Sequence, residues 1–355
     1  MTNLKLKGKN ILIVGGTGSL GKVLIRRLLR MEKNTPEKII VFSRDEAKQH
    51  QMMAEYQQKS KNESELIYQN YRQKVEFLIG DIRNRHSLSL ALKKADIVIN
   101  TAALKQVPIC EYFPIEAVQT NIIGPENIVR VIHEEKLKID TVVGISTDKA
   151  CKPVSAMGMT KAIQERILIV ANIHIPSTRF ICVRYGNVLA SRGSVIPLFY
   201  DQIRNGGPVT ITSPEMTRFL LPLEQAVDTI FAAIDGANRG EIYIPKIPAA
   251  KIVDIAKILI GNRKIEIQIT GIRPGEKIHE MMISEEEARR TFDCGNYYAI
   301  QPMLSEMIPL VNPSKPLNHP YSSQDIILSA QDLKVLLKKY HLLDIDNNET
   351  EEFLR

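Results

Sequence analysis

The sequence predicts an α/β fold, a doubly wound parallel sheet carrying a smaller lobe assembled from discontinuous segments. Three observations lead there. Short continuous apolar runs rich in β-branched residues alternate with longer amphipathic runs along the first half of the chain. The apolar runs do not alternate with polar residues, as expected of strands covered on both faces. After Tyr185 the texture changes, and prolines, glycines and short segments dominate residues 186–216 and 271–321.

Taken in order, strands are expected over residues 10–14, 38–43, 75–79, 96–101, 141–146, 180–185 and 241–245. Helices are expected over 20–31, 45–58, 87–94, 115–135, 156–171, 195–205 and 225–238. Strands that alternate with helices close into right-handed βαβ units and a parallel sheet. The expected division is a sheet domain over 1–186 plus 220–246, a lobe over 187–219 plus 247–341, and a flexible acidic tail over 342–355. The lobe should cover the carboxyl ends of the strands, where open α/β sheets bind ligands.

Composition excludes several classes. In 355 residues the hydrophobic share is 44% and the charged share 25%, ordinary values for a folded chain. No apolar stretch approaches the ~18 residues of a membrane span. The first residues lack the apolar core of a secretory signal, so a cytoplasmic location is expected. Cys110, Cys151, Cys182 and Cys294 are scattered without a C-x-x-C pair, and no two of the 7 histidines are spaced H-x-x-x-H. Free thiols and no metal are therefore expected. The net charge of +7 is not gathered into a basic stripe, and Trp is absent, which argues against nucleic acid. A phosphate-bearing ligand accounts for the basic excess equally well.

The first strand runs into Gly15-Gly16-Thr17-Gly18-Ser19-Leu20-Gly21-Lys22. Glycines at this spacing, between a strand and a helix, let the backbone approach a pyrophosphate held at the helix N-terminus. That is the dinucleotide-binding (Rossmann) arrangement. The second strand ends in Ser43-Arg44-Asp45-Glu46, with Lys48 one turn on. A basic fork at that tip suits the 2′-phosphate of NADP, although a solvated arginine is the plainer reading. Asp81, followed by Ile82, lies where an adenine amino group could be bound, or it caps the next turn. Ala102 and Ala103 are small enough to let a cofactor pass.

Further segments carry a resemblance. They are 103–108 (ALKQVP), 146–150 (STDKA), 184–188 (RYGNV), 191–197 (SRGSVIP), 216–219 (MTRF) and 273–280 (RPGEKIHE). With the glycine loop, this set resembles the UDP-N-acetylglucosamine 4,6-dehydratases of the polysaccharide-biosynthesis type, in the extended short-chain dehydrogenase/reductase superfamily. Two positions depart from the pattern. The superfamily's Tyr-x-x-x-Lys reads Met157-x-x-x-Lys161 here, similar to a variant within these dehydratases, and Gln106 stands where a histidine is common.

The resemblance implies a bound NADP, a UDP-N-acetylhexosamine substrate, loss of water to a 4-keto-6-deoxy sugar for surface polysaccharide, and a homo-oligomer (dimer or hexamer). It implies Asp148 as acid at the C6 hydroxyl and Lys149 as base at C5. Those roles demand that Asp148 hold its proton more tightly than usual and Lys149 less tightly, and a direct ion pair would oppose both. Lys161 is expected on the nicotinamide ribose. Met157 cannot ionise, so Thr147 relaying to Lys161 is the expected route for the C4 hydroxyl proton, with Met157 packing the core. Lys105, Asn187, Val195, Thr212, Met216, Arg218, Arg273 and Glu276 are implied as substrate contacts, the arginines for diphosphate. The plainer alternatives are surface ion pairs for Asp148–Lys149 and Arg273–Glu276. A UDP-hexose 4-epimerase and a non-catalytic nucleotide-sugar binder are the competing functions. Helices 115–135 and 156–171 are the expected dimer contact, unless they only cover the sheet.

Overall fold

A computed structural model describes residues 5–57, 65–189, 194–273, 275–308 and 315–343. The strands of the central sheet are β1 (Asn10–Val14), β2 (Lys38–Ser43), β3 (Val75–Ile79), β4 (Ile97–Asn100), β5 (Thr141–Thr147), β6 (Arg179–Tyr185), β9 (Ile242–Pro245), β13 (Thr291–Cys294) and β14 (Tyr297–Ile300). Their order is β13-β14-β9-β6-β5-β4-β1-β2-β3, with every pair from β3 to β9 parallel. The strand order reverses between β1 and β4, the crevice where doubly wound sheets hold ligands. Ile11, Leu12, Ile13, Ile39, Val98, Val142 and Val143 are all buried, which explains the unalternating apolar pattern of these strands.

The helices follow the amphipathic runs: α1 (Ser19–Leu29), α2 (Glu46–Gln57), α3 (Glu65–Lys74), α4 (Arg85–Leu92), α7 (Gly124–Glu134), α8 (Ala156–His174), α9 (Val195–Arg204) and α10 (Leu223–Gly236). The helix expected over 115–135 is interrupted. A short helix α6 (Pro114–Val118) passes through a π-helical turn, Gln119–Ile123, before α7 begins. Gly124 donates its N–H five residues back to Gln119. Pro125 has no N–H to give Asn121, so the usual ladder is broken at this point. Before α6 stands α5 (Val107–Tyr112), and both pack against α8.

The lobe has its own core, in which Ile196, Phe199, Tyr200, Ile211, Leu259 and Leu333 come together. Its strands pair in twos: β7 (Val209–Ile211) with β11 (Ile267–Ile269), β8 (Thr217–Phe219) with β10 (Ala249–Lys251), and β12 (Met281–Ile283) with β15 (Tyr321–Ser322). Helices α11 (Ile252–Ile260) and α13 (Ala330–Lys339) complete it, and a short α12 (Glu285–Ala288) follows β12. Two differences from the sequence reading stand out. Residues 291–300, read as part of the lobe, form the antiparallel edge β13–β14 of the central sheet. Leu342, read as the start of a tail, is buried in the lobe core, and its carbonyl accepts from Tyr200 at 2.7 Å. The rest of the expected tail, 344–355, lies outside the described residues.

Sheet and lobe meet at a buried ion network. Arg184 on β6 is 1% exposed and donates to Glu165 of α8 (Nε 3.0 Å, Nη2 2.6 Å) and to Glu287 of α12 (Nη1 2.8 Å, Nη2 2.9 Å). A fifth bond reaches the Met282 carbonyl at 2.7 Å. The guanidinium holds the Glu287 carboxyl down at about 2. Removing one member of such a network strands buried charge, so Arg184→Ala should lose about 3–5 kcal/mol of stability in urea unfolding. A loss under about 1 kcal/mol, the range of exposed pairs, would contradict this account of the junction.

Candidate active site

A cleft of ≈ 770 Å³ runs along the carboxyl ends of β1, β2, β4, β5 and β6. The glycine loop forms one end. Gly15 has φ +79°, and a Cβ there would stand 2.7 Å from the Ala102 nitrogen, so only glycine lets the loops after β1 and β4 meet. A Cβ on Gly21 would fall 2.3 Å from the Gly16 oxygen, which sets how closely α1 starts behind the loop. Gly18 is the N-cap of α1 and provides no side-chain cap. The first N–H groups of that helix are thus left for an anion to take.

Thr17 and Ser43 share a hydrogen bond of 2.8 Å beneath this loop. Arg44 extends from the tip of β2 with its side chain 58% exposed, and its Nη1 is 3.7 Å from Asp81. Asp45, the nearby acid, is committed elsewhere: it accepts from the Lys48 N–H at 3.0 Å and pairs with Lys48 Nζ at 2.6 Å. Asp81 is gripped by Arg83, whose Nε and Nη2 lie 2.7–3.1 Å from its two oxygens, and this holds its carboxyl below the usual range despite partial burial. Every residue expected at the cofactor lines this cleft: Gly15, Thr17, Gly18, Ser19, Leu20, Gly21, Ser43, Arg44, Lys48, Asp81, Ile82, Ala102, Ala103 and Lys161.

The other end of the cleft is built at the tip of β5. Thr147 ends the strand and caps a single 3-10 turn, Asp148–Ala150, by accepting from the Lys149 N–H. Asp148 is fully buried, and its Oδ1 accepts from the Thr147 hydroxyl at 2.9 Å and from Lys149 Nζ at 3.0 Å. Its other oxygen has no hydrogen-bond partner. Lys149 Nζ also lies 3.2 Å from Glu280 Oε1. Burial raises the Asp148 pKa, with Glu280 adding to it, and the pull of Lys149 does not cancel the rise. The Lys149 pKa, expected to fall, instead rises: burial lowers it, but the two carboxylates outweigh burial.

Helix α8 starts against this turn. Ser155 caps it, accepting from the Gly158 N–H at 3.2 Å. A Cβ on Gly158 would stand 2.3 Å from the Lys149 carbonyl oxygen, so the second residue of the Met-Gly-Met-Thr-Lys run must be glycine for the turn to sit this close. Met157 packs with Cys110 and Ala117 and also lines the cleft. Lys161 is buried and donates to Gln164 at 2.7 Å, and burial lowers its ammonium to about 8. The expected link from Thr147 to Lys161 is replaced, since Thr147 donates to Asp148 and Lys161 to Gln164.

Of the expected substrate contacts, Lys105, Asn187, Arg273 and Glu276 line the cleft. Asn187 Oδ1 is buried without a partner. Thr212 donates to Glu276 at 3.3 Å from just outside the lining. Val195 and Met216 pack into the lobe core instead. Arg218 differs most from expectation: its fork donates to the carbonyls of Thr217 (2.7 Å), Lys277 (2.9 Å) and Ile278 (3.0 Å), which leaves it bracing the lobe and not lining the cleft. Of the 191–197 segment, residues 191–193 lie outside the described residues, as does Pro274 of the 273–280 segment.

Two residues that the sequence reading did not single out support the site. Asn121, in the π-helical turn, accepts from the Leu104 N–H at 2.8 Å and donates to the Leu104 carbonyl (2.9 Å) and Thr160 (3.0 Å), which pins the Lys105 loop to α8. Glu280 lay inside the quoted 273–280 segment, but nothing in its spacing joined it to residue 149.

Among the described residues no cluster of His, Cys, Asp or Glu could hold a metal ion, and no helix is long and apolar enough to cross a membrane. A UDP-glucose 4-epimerase of Rickettsia bellii is 44% identical over 298 residues, 82% of each chain. A UDP-N-acetylglucosamine 4,6-dehydratase (inverting) of Campylobacter jejuni is 42% identical over 300 residues, 84% of each. The solved structure of Pen from Bacillus thuringiensis has a TM-score of 0.83 at 33% identity, covering 95% of this chain and 99% of that one. From residue 11 to residue 302 the sequence matches the family described as polysaccharide biosynthesis protein. With a match over most of its length, the chain belongs to that polysaccharide biosynthesis protein family.

Proposed function

We propose that this protein is an NADP-dependent dehydratase that removes water across C5 and C6 of a UDP-N-acetylhexosamine, most simply UDP-N-acetylglucosamine. The observation that carries the reading is the ion pair of a fully buried Asp148 with a partly buried Lys149 on the cleft wall. A 4-epimerase has no use for an acid and a base at C5 and C6, and Met157 stands where such an enzyme needs an ionisable hydroxyl.

The residues present suit a dinucleotide. The bare N-terminus of α1 suits the pyrophosphate, and Arg44 suits a 2′-phosphate, because the acid beside it, Asp45, is paired with Lys48. Lys161 suits the nicotinamide ribose. A bound nicotinamide supplies the hydride acceptor for C4 and returns that hydride at C6. Lys105, Asn187, Arg273 and Glu276 would hold the UDP-sugar, the cations facing its phosphates.

The chain's own groups manage protons. Lys161, lowered to about 8, accepts the proton of the C4 hydroxyl. Within the couple, a proton passes from the Lys149 ammonium to the Asp148 carboxylate, which yields an amine and a carboxylic acid. The amine takes the C5 proton, the C–H electrons form the C5–C6 double bond, the C6–O bond breaks, and Asp148 protonates the departing hydroxyl to water. The couple is then ammonium and carboxylate again. Lys149 gives a proton back to C5, and the proton held on Lys161 replaces it.

On α5, α6 and α8 and at the joint between the first two, several large apolar residues are exposed, among them Tyr112 (82% exposed), Phe113, Ile115, Met159 and Ile163. A patch of this kind on helices packed side by side suits a second copy of the chain.

Three outcomes are expected. Incubation with UDP-N-acetylglucosamine in heavy water should yield a product lighter by one water and labelled at C5, with NMR reporting the C5 configuration. An isomer of unchanged mass would mean epimerisation. Arg44→Ala should weaken NADP binding by about 10-fold or more, the size of one charge-assisted contact, and leave NAD binding within about 2-fold, as read by calorimetry. Equal effects on both would remove the case for the phosphate. Ile163→Asp should convert the dimer or larger assembly to monomer in light scattering, and an unchanged mass would place the contact elsewhere.

A further inference from the structure

Glu280 stands outside the cleft lining yet touches the group at its centre. It is 2% exposed, and its Oε1 lies 3.2 Å from Lys149 Nζ. Its backbone is fixed twice over: its N–H donates to Ser323 Oγ at 3.0 Å, and its carbonyl accepts from the Ser323 N–H at 2.8 Å. Ser323 is held in turn by Thr217, the two hydroxyls 2.6 Å apart. One lysine in the site is therefore flanked by two buried carboxylates that come from different parts of the chain.

We propose that Glu280 is a positioning residue for the elimination: it fixes Lys149 Nζ opposite Asp148 and supplies the second negative charge against which the couple's protons are held. The inference rests on the dehydratase reading above. With Asp148 as its only partner, Lys149 would hold that carboxylate in its ionised form, because a cation at 3.0 Å strongly favours the anion. Glu280 competes for the same ammonium. Its negative charge weakens the preference of the pair for an ionised Asp148, which is the direction in which Glu280 shifts that carboxyl. The two carboxylates are not equivalent. Burial favours the neutral form of each, but Lys149 and Arg218 together hold Glu280 below the usual carboxylate range, while Asp148 is raised.

The charged groups facing this cluster are few among the described residues. Arg218 Nε lies 3.9 Å from Glu280 Oε1, with the rest of its fork on backbone carbonyls. Lys277 also acts on Glu280 and donates to the Cys151 carbonyl at 2.7 Å. The neighbouring His279 Nδ1 is 2.8 Å from the Thr217 hydroxyl, and burial and Arg218 keep the ring neutral to lower pH than usual. Thr147 donates to Asp148. Asp148 Oδ2 and Glu280 Oε2 are both buried without hydrogen-bond partners, so each carboxyl keeps one oxygen outside the network.

The sign of the effect does not depend on which residue carries which proton. The couple is active when it holds one proton between its two members. The acid limb of the rate profile marks uptake of a second proton, and the alkaline limb marks loss of the last. Taking away one negative charge loosens every proton in the cluster. Glu280→Gln should therefore move both limbs of kcat to lower pH by about 0.5–2 units, the usual effect of a charge within ~4–6 Å. It should also lower kcat at the wild-type optimum by about 10-fold or more, because a misplaced reacting group forfeits rate steeply. KM for UDP-N-acetylglucosamine should stay within about 2-fold, since Glu280 lies outside the cleft. Glu280→Asp keeps the charge and should return the limbs to their wild-type positions even where kcat stays low.

Profiles of the wild-type, Gln and Asp enzymes, with thermal melting and UDP affinity of each, make the test. If the wild-type protein releases no dehydrated sugar, the dehydratase reading itself fails. If it does so and Glu280→Gln melts and binds UDP normally but keeps both limbs within about 0.2 units, Glu280 is only structural and the inference is overturned. Should Glu280→Gln not fold, the Asp variant decides by direct competition: limbs displaced as far as one lost charge predicts would equally refute the charge argument.

Discussion

A carboxylate buried at the tip of β5 is expensive, and much of the surrounding structure serves to make Asp148 tolerable there. A desolvated Asp with no partner would take up a proton for good or stop the strand end from packing. Here a lysine one residue on and a threonine one residue back hydrogen-bond it, while a distant glutamate holds the same lysine. The 3-10 turn is what lets Asp148 and Lys149 approach each other directly, since neighbours in an extended strand point to opposite faces.

The supports of that turn come from three directions. Helix α8 presses on it through Gly158, which brings a helix backbone against the Lys149 carbonyl. Lys277 reaches the next residues through the Cys151 carbonyl. The Arg184 network ties β6, α8 and α12 together, and α12 follows directly on β12, whose chain has just delivered Glu280. The buried ion network beside the cleft and the charged cluster within it are thus consecutive parts of one structure. The first fixes the lobe segment that carries a member of the second.

Most of the sheet was legible because its strands are buried on both faces and therefore apolar throughout. Strands β1, β2 and β3 fall on the expected residues, and β4, β5, β6 and β9 agree to within one residue at each end. Helix α3 was not read, because its buried stripe includes Asn70 and Tyr71 and its overall character is polar. The edge β13–β14 was assigned to the lobe because it is short and far along the chain, and nothing local marks which sheet a hairpin will join. The π-helical turn was invisible for a similar reason: Pro125 shows where a hydrogen bond is lost, but not whether the helix stops or widens.

The glycine loop, Arg44, the Asp148–Lys149 pair and the Met157–Lys161 spacing could be read from sequence because each acts through neighbours in the chain or along one helix. Sequence alone thus determined the sheet, the ligand crevice and the residue types at its centre. It could not determine the direction of the Lys149 pKa, the commitment of Arg218 to carbonyls, or the arrival of Glu280. Those depend on charges brought together from residues 148, 218 and 280, and the Coulomb energy between two groups follows their distance in space and the burial around them. Only the folded chain fixes either.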